Sequence, residues 1–414
     1  MPIDLGLSRI SRLLRQLGNP HKTYKSAHIA GTNGKGSTVA YLSSVLTSSK
    51  VRNGRFTSPH MVYYNDCVCI NNETYPLPKF EQVRALVRKT NDELKLQCTE
   101  FELLTATAFK IFELEKVEIA LIEVGLGGRL DATNVLEANT SSSPGVVVTA
   151  ITKIAFDHEG FLGDTLEKIA NEKAGILKEN IPCVVDGTNE HSVLSVIQSK
   201  AASTSCNLII AGGDQDAKEL IKVSPLNGAY QLSNLCVALR AIDILKGYLP
   251  IDNHTIREGI KNTKWIGRLQ TVEIPEKNLT VLVDGSHNEN AAIELARYLE
   301  HSTNRTEGII FIVGFTKGKS IDGLLKHTVT RRNDTVYPTS FSQPEGMPWI
   351  KSAAPDNIAK VAANYTDDLQ PYGTLEDILN RISSKKENGD ERPVVIFGSL
   401  YLVSDVLRAV EAKK

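Results

Sequence analysis

The sequence predicts an α/β protein of two domains: a larger one on a mostly parallel sheet that carries a P-loop-like turn, followed by a smaller one in which strands and helices again alternate. Three observations carry this. Short apolar β-type runs alternate with helical patterns along the chain, and that alternation favours parallel sheets covered by helices. A glycine-rich turn, "HIAGTNGKGST" at 28–38, falls where a strand should hand over to a helix. At 414 residues the chain also exceeds what one hydrophobic core usually serves.

The elements follow in order. "MPIDLGLSRISRLLRQLGNP" spaces its arginines helically among Leu and Ile. It carries an acid, and the glycine-rich turn follows within a dozen residues, so it reads as the first helix of the domain and not as a transit peptide. Strands are expected at "AHIA", "EIALIEV" (118–124), "GVVVTAI" (145–151), "PCVVDG" (182–187) and "NLIIA" (207–211). Between them "TEFELLTATAFKIFEL" and "TLEKIANEKAGIL" repeat apolar residues at three and four, the helical spacing. A second series comprises "TVLVDG", a helix from Glu289, "GIIFIVGF", a helix near 320, "DTVYPTS" and "PVVIFGSLYLVSDVLRAV". "NTKWIGRLQTVEIPEKN" lacks a clear period and contains Gly and Pro, which places the boundary near 268 and gives domains 1–268 and 269–414. "ANTSSSPG" (138–145) and "SSKKENGDERP" read as surface loops.

Composition narrows the function. A formal net charge of −1 provides no global field toward nucleic acid or membrane, so an anionic ligand must be held by locally placed cations. Hydrophobic residues at 41% and charged residues at 23% suit a folded globular chain. Cys67, Cys69, Cys98, Cys183, Cys206 and Cys236 form no CxxC pair and read as buried, reduced thiols. No apolar run approaches the roughly 18 residues of a membrane span. The cytoplasm is the expected compartment.

The loop at 28–38 is suited to phosphate. Glycines let successive backbone N–H groups face one concavity, the following helix adds its positive N-terminal end, and Lys35 supplies a compact charge. The usual G-x-x-x-x-G-K-[ST] pattern is not met to the letter: Ile29 stands where the first glycine belongs, and Gly36 separates Lys35 from Ser37. The loop is a variant, and the bland alternative is a surface connection. "LIEVGLGGRLDATN" (121–134) fails as a dinucleotide fingerprint because Leu130 replaces the third glycine. It leaves Glu123 near a strand end, where an acid needs a cation or metal, or else caps nearby amides. Asp157 and His158 are expected to end another strand on the same edge, which suggests Mg²⁺, although histidine is an atypical ligand for that ion. Arg268, on the linker, is placed to reach phosphates from the second domain; a surface salt bridge is the plainer reading.

These pieces occur together and in one order. GTNGKGS, TSPH, TEFE, EVGLGGRLDATN, DHEGFLG, EKAGI, YQLSN, WIGR and DGSHN resemble the folylpolyglutamate synthase and dihydrofolate synthase family, ATP-dependent ligases related to the Mur ligases. The resemblance covers essentially the whole chain. "CTEFELLT", "EGMPW" and "GSLYL" look most like the fungal dihydrofolate synthases. The resemblance implies a Mur ligase-like architecture, a P-loop ATPase domain with a mostly parallel sheet plus a smaller Rossmann-like C-terminal α/β domain, in which Asn33, Gly34, Lys35, Gly36 and Ser37 hold ATP phosphates. It implies that Ser37, Ser58, Glu123 and His158 bind two Mg²⁺ ions, that Asn234 contacts adenine, that Arg268 contacts phosphate and that Asp284 contacts the nucleotide. Lys173 matches a lysine that becomes carbamylated. Phe101, Asp131 and Ala132 align with pterin contacts, and His287 and Ser399 with glutamate; Lys35, Lys173, Arg268 and His287 would carry the catalysis.

The implied chemistry is amide ligation. A carboxylate resists attack by an amine because its leaving group is poor, so ATP first converts it to an acyl phosphate. Charge on the transferring group is stabilised by the lysine, the arginine and the metal ions. Domains that close when loaded would keep water from that intermediate. The expected substrates are dihydropteroate and L-glutamate, in a monomeric enzyme with no nucleic-acid or membrane partner. Extension of folates to polyglutamates, or one enzyme doing both, remains open at this stage, as does a P-loop kinase or nucleotide switch.

Overall fold

The computed structural model describes residues 5–302 and 306–411. The chain forms two units, one running to Pro225 and taking in Tyr230–Trp265, the other comprising Leu226–Ala229 and the chain from Ile266.

The first unit is built on an eight-stranded sheet: β1 (Lys25–Ala30), β2 (Asn53–Phe56), β3 (Val68–Ile70), β4 (Glu73–Thr74), β5 (Ile119–Glu123), β6 (Val146–Ile151), β7 (Cys183–Asp186) and β8 (Leu208–Ala211). Their spatial order is β4-β3-β2-β5-β1-β6-β7-β8. β3 pairs antiparallel with β2 and β4, and every other neighbouring pair is parallel. β1, β5, β6 and β7 are buried on nearly every residue, as strands with helices on both faces must be. β1 lies between β5 and β6, the point at which successive connections leave on opposite sides. In open sheets of this kind the crevice beyond such strand ends receives the ligand.

The helices are set by local chemistry. Thr99 and Glu102 form a reciprocal capping box, with Glu102 N–H donating to Thr99 Oγ1 at 3.2 Å and Thr99 N–H to Glu102 Oε2 at 2.7 Å, and so start helix Glu100–Leu114. Helix Lys35–Ser48 is buried on all residues from Ser37 to Leu46, because the sheet covers one side and helices Gln231–Leu245 and Asn253–Lys261 pack on others. Ser44 Oγ donates to Gly259 O at 2.6 Å across the last of these contacts. Aromatic residues fill the main core beside helix Glu100–Leu114, among them Phe56, Phe80, Phe109 and Phe112.

The second unit carries β9 (Gln270–Ile274), β10 (Leu279–Asp284), β11 (Ile310–Val313), β12 (Thr335–Pro338), β13 (Asp368–Leu369) and β14 (Val394–Phe397), in the order β13-β12-β11-β14-β10-β9. Only β9 runs antiparallel to its neighbour, β10.

Several expectations need correction. "NTKWIGRLQTVEIPEKN" is not aperiodic throughout, because Gln270–Ile274 is β9, a short edge strand of mixed polarity. Ser383–Glu387 is not loop but the last turn of helix Leu375–Glu387, whose start is set by the capping box of Thr374 and Asp377. Asp157 and His158 do not end a strand: β6 stops at Ile151 and both lie on the loop beyond it. The short strands β2, β3, β4 and β13 gave no period long enough to read.

Candidate active site

β1 ends at Ala30, and the loop after it is strapped to the loop beyond β6: Thr32 and Asn33 donate their N–H groups to Lys153 O at 2.8 and 3.1 Å. Thr32 Oγ1 also donates to Ala155 O at 3.1 Å. Gly34 caps the following helix with φ +94°, a conformation that side chains resist, and a Cβ there would meet Asn234 Oδ1 at 2.1 Å. The loop therefore holds its shape and leaves the first N–H groups of helix Lys35–Ser48 at the strand ends, the arrangement that receives an anion.

Charged groups converge on this loop. Lys35 Nζ donates to Gly31 O at 3.1 Å and Thr32 O at 3.2 Å and lies 3.7 Å from Glu123 Oε1. Glu123 is the last residue of β5, and its pairing with Ile29 of β1 is what brings the acid beside the loop. Lys173, on helix Leu166–Ala174, is buried and donates to the same Gly31 O at 2.8 Å. Burial, reinforced by the nearby charge of Lys35 and opposed by Asp157 and Asp131, draws its pKa down to about 7. An amine that is half neutral near pH 7 is a nucleophile, which an ordinary surface lysine is not.

Oxygen donors lie in the same region. Ser37 Oγ is buried and accepts from Gln231 Nε2 at a long 3.3 Å. Ser58 precedes a cis proline, and its Oγ is buried with no hydrogen-bond partner. Ser58 follows β2, whose Phe56 pairs with Ile122 of β5, and its partnerless hydroxyl, the Ser37 hydroxyl and the Glu123 carboxylate are the oxygen types that fit Mg²⁺, an ion satisfied by a few protein oxygens plus phosphates and water. His158 lies on the loop beyond β6 with φ 53°, its side chain 45% exposed and 3.8 Å from Asp157 Oδ2. Among the described residues no three His, Cys, Asp or Glu side chains gather as a metal site.

A second group of candidate residues lies on and around the turn after β5. The Phe101 ring lies over Gly125, where a Cβ would fall 2.3 Å from it, and packs 6.1 Å from the Phe56 ring. Asp131 is buried and accepts from Leu126 N, Thr133 N and Thr133 Oγ1 at 2.8, 3.0 and 2.6 Å. Burial raises its pKa, and these hydrogen bonds oppose the rise. Ala132, also buried, begins the 3₁₀ turn that Asp131 caps.

Within the second unit Arg268 donates from Nη1 to Gly267 O at 3.0 Å and lies so close over Gly285 that a Cβ there would fall 2.3 Å from Nη1. Asp284 ends β10, and its carboxylate accepts from Leu269 N at 2.8 Å and Ser286 N at 2.9 Å, and from the Ser286 hydroxyl. These bonds make it the brace of the Gly267–Leu269 turn. His287 Nδ1 lies 3.0 Å from Gly285 O, and the buried Ser399 Oγ accepts from Tyr401 N at 3.2 Å.

Contacts thus join Lys35, Glu123 and Lys173 around Gly31, with Gly34 against Asn234 and Ser37 against Gln231. Gln231, which also accepts from Asn234 Nδ2 at 2.9 Å, was missed by sequence reasoning, as was Trp265, whose ring packs on Gly36 beneath the Arg55 guanidinium 5.4 Å away. Both sit inside motifs already singled out, YQLSN and WIGR, and that proximity was the available signal.

Residues 268–409 match the family described as "Dihydrofolate synthetase, C-terminal domain". The chain is 39% identical over 428 residues to the dihydrofolate synthetase of Saccharomyces cerevisiae, covering 99% of this chain and 98% of the relative. Folylpolyglutamate synthase of Mycobacterium tuberculosis, solved with ADP and AMPPCP, superposes with TM-score 0.83 at 25% identity over 97% of this chain and 94% of its own. Escherichia coli FolC, solved with DHPP and ADP, gives TM-score 0.82 at 26% identity over 100% and 95%.

Proposed function

The chain belongs to the dihydrofolate synthase and folylpolyglutamate synthase family, and we propose that it joins 7,8-dihydropteroate to L-glutamate, giving dihydrofolate, ADP and phosphate. It is an ATP-dependent amide ligase. The observation that carries the reading in this chain is the convergence of Lys35, Glu123 and buried Lys173 on one glycine-rich loop at the sheet's switch point. The choice of dihydropteroate is supported by the 39% identity with a dihydrofolate synthetase along nearly the whole chain.

In this reading Asn33, Gly34, Lys35, Gly36 and Ser37 bind ATP phosphates and Asn234 the adenine. Ser37, Ser58, Glu123 and His158 would hold two Mg²⁺ ions, which supply charge neutralisation and alignment of the phosphates. Lys35 binds the γ-phosphate as the pterin carboxylate attacks it in line; the bond to the bridging oxygen breaks and ADP leaves. Arg268, with Asp284 fixing its turn, serves the same phosphates. Phe101, Asp131 and Ala132 seat the pterin. His287 and Ser399 position glutamate, whose free amine attacks the acyl carbon and expels phosphate. Lys173, able to lose its proton near neutral pH, would take up carbon dioxide as a carbamate, a carboxylate-like oxygen pair beside the loop. No helix among the described residues is long and apolar enough to cross a membrane, and the reading includes a monomeric, cytoplasmic enzyme.

The test is glutamate-dependent ADP release with ATP and Mg²⁺. Turnover with dihydropteroate and none with tetrahydrofolate is expected. Turnover with tetrahydrofolate would move the assignment to polyglutamylation or a bifunctional enzyme, and ADP release indifferent to pterin and glutamate to a kinase or switch. Ser58→Ala is expected to raise the Mg²⁺ concentration for half-maximal rate about tenfold, the scale of losing a supporting metal contact. An unchanged Mg²⁺ requirement in a titration would remove Ser58 from the metal set.

A further inference from the structure

β1 carries a residue that the reaction above does not use. His28 is fully buried in the middle of the strand, three residues before Gly31, where β1 has given way to the phosphate loop. Its Nε2 lies 2.8 Å from Thr133 Oγ1, and the same hydroxyl donates to Asp131 Oδ1 at 2.6 Å. Its Nδ1 is buried with no hydrogen-bond partner.

The geometry fixes the direction of the chain. Asp131 accepts Thr133 N–H on Oδ1 and Leu126 N–H on Oδ2, an arrangement that favours the ionised carboxylate. The short Thr133–Asp131 contact then requires the hydroxyl proton to point at the carboxylate. Thr133 Oγ1 is left as an acceptor toward His28, so the imidazole carries its proton on Nε2 and bares Nδ1. The opposite tautomer would aim a hydroxyl lone pair at a carboxylate oxygen. A doubly protonated ring would bury a charged N–H without a partner, and burial, with Lys178 adding repulsion, holds the pKa of His28 well below its ordinary value.

We propose that His28 is a positioning residue for the pterin subsite: through the Thr133 hydroxyl it orients the Asp131 carboxylate and the turn from Gly125 to Thr133 on which dihydropteroate sits. This rests on the functional reading above, in which Asp131 and Ala132 contact the pterin. The consequence is specific. Asp131 fixes the backbone on both sides of the subsite, at Leu126 and at Thr133, so a tilted carboxylate moves the pterin wall. The phosphate loop is strapped separately to Lys153 and Ala155. Loss of the His28 contact should therefore weaken dihydropteroate and spare ATP.

The experiment compares His28→Leu, His28→Gln, Thr133→Val and the double variant in the full chain. It measures dihydropteroate binding by calorimetry alongside kcat and the KM of each substrate. His28→Leu and Thr133→Val are expected to raise Kd and KM for dihydropteroate about tenfold each, the effect of one lost hydrogen bond in a buried network. KM for ATP should stay within about twofold. Glutamine, whose amide N–H reaches the position of Nε2, should restore most of the binding, and the double variant should be no worse than either single one. Should His28→Leu not fold, the nearly isosteric Thr133→Val carries the test. Equal weakening of ATP and dihydropteroate, or failure of glutamine to restore binding, would reduce His28 to a core residue and overturn the proposal. If the unaltered chain binds and turns over no dihydropteroate while retaining pterin-independent ATP turnover, the functional reading itself falls.

Discussion

Lys35→Ala is expected to lower kcat for glutamate-dependent ADP release by at least about a hundredfold, in protein that is still folded at the assay temperature. The lysine lies on the loop, where its partners are carbonyl oxygens of Gly31 and Thr32 and the Glu123 carboxylate. Gly31 O keeps its bond from Lys173 Nζ, whereas the buried Glu123 loses a neighbouring cation, so some loss of stability accompanies the substitution. In the proposed reaction phosphoryl transfer would need it: the charge on the transferring oxygens would be met by preorganised cations, and removal of one such donor from an active site typically costs about 10²–10³ in rate. Steady-state turnover and a thermal melt on the same preparation separate the two effects. Near-normal turnover would remove the loop from phosphate chemistry. A secondary effect follows from electrostatics: Lys35 helps to depress the pKa of Lys173, so its removal should bring that pKa up toward the ordinary lysine value.

Lys173→Ala is expected to be comparably severe, with partial recovery in formate or acetate. The argument begins with burial. A lysine pulled down to about 7 has roughly one tenth of its molecules neutral at pH 6 and nine tenths at pH 8. Only the neutral amine attacks carbon dioxide; the N–C bond forms, one proton leaves to solvent, and a carbamate anion remains. Protein depleted of carbon dioxide should therefore recover activity when bicarbonate is added and, compared at equal dissolved carbon dioxide, faster at pH 8 than at pH 6, because the neutral amine is about ninefold more abundant there. The modified nitrogen keeps one N–H, so the bond to Gly31 O survives the reaction. If Lys173 were only a strut for Gly31, alanine would impair the enzyme but added carboxylates would not restore it, and bicarbonate would have no effect. Normal activity in the alanine variant would remove Lys173 from the mechanism.

Much of the site was legible because its chemistry is local. Lys35 and its glycines stand within a few residues, and the loop's role follows from backbone donors and one charge. Glu123 is visible as an acid closing an apolar strand, whereas Ser58, Lys173 and Asn234 are candidates only through the family resemblance. His158 was legible as a residue, but its placement was wrong: an apolar run shows where a strand begins more clearly than where it stops, and β6 ended before the aspartate and histidine. His28, Thr133 and Gln231 were not legible. His28 reads as one more member of a buried strand, and its partner is 105 residues away; Gln231 lies 194 residues from Ser37.

The sequence by itself determined the alternation of strands and helices, the flexible glycine turn, and the residue types that can meet phosphate and an oxygen-seeking metal. These follow from side-chain spacing and backbone freedom, which act over a few residues. Only the tertiary structure decided the strand order that sets β5 and β6 on either side of β1, and so brought Glu123 and the loop beyond β6 to the phosphate loop. It alone decided that Lys173 is buried beside Lys35, which turns an ordinary cation into an amine that deprotonates near neutral pH. Both depend on which distant segments exclude water from one another, and no local pattern carries that information.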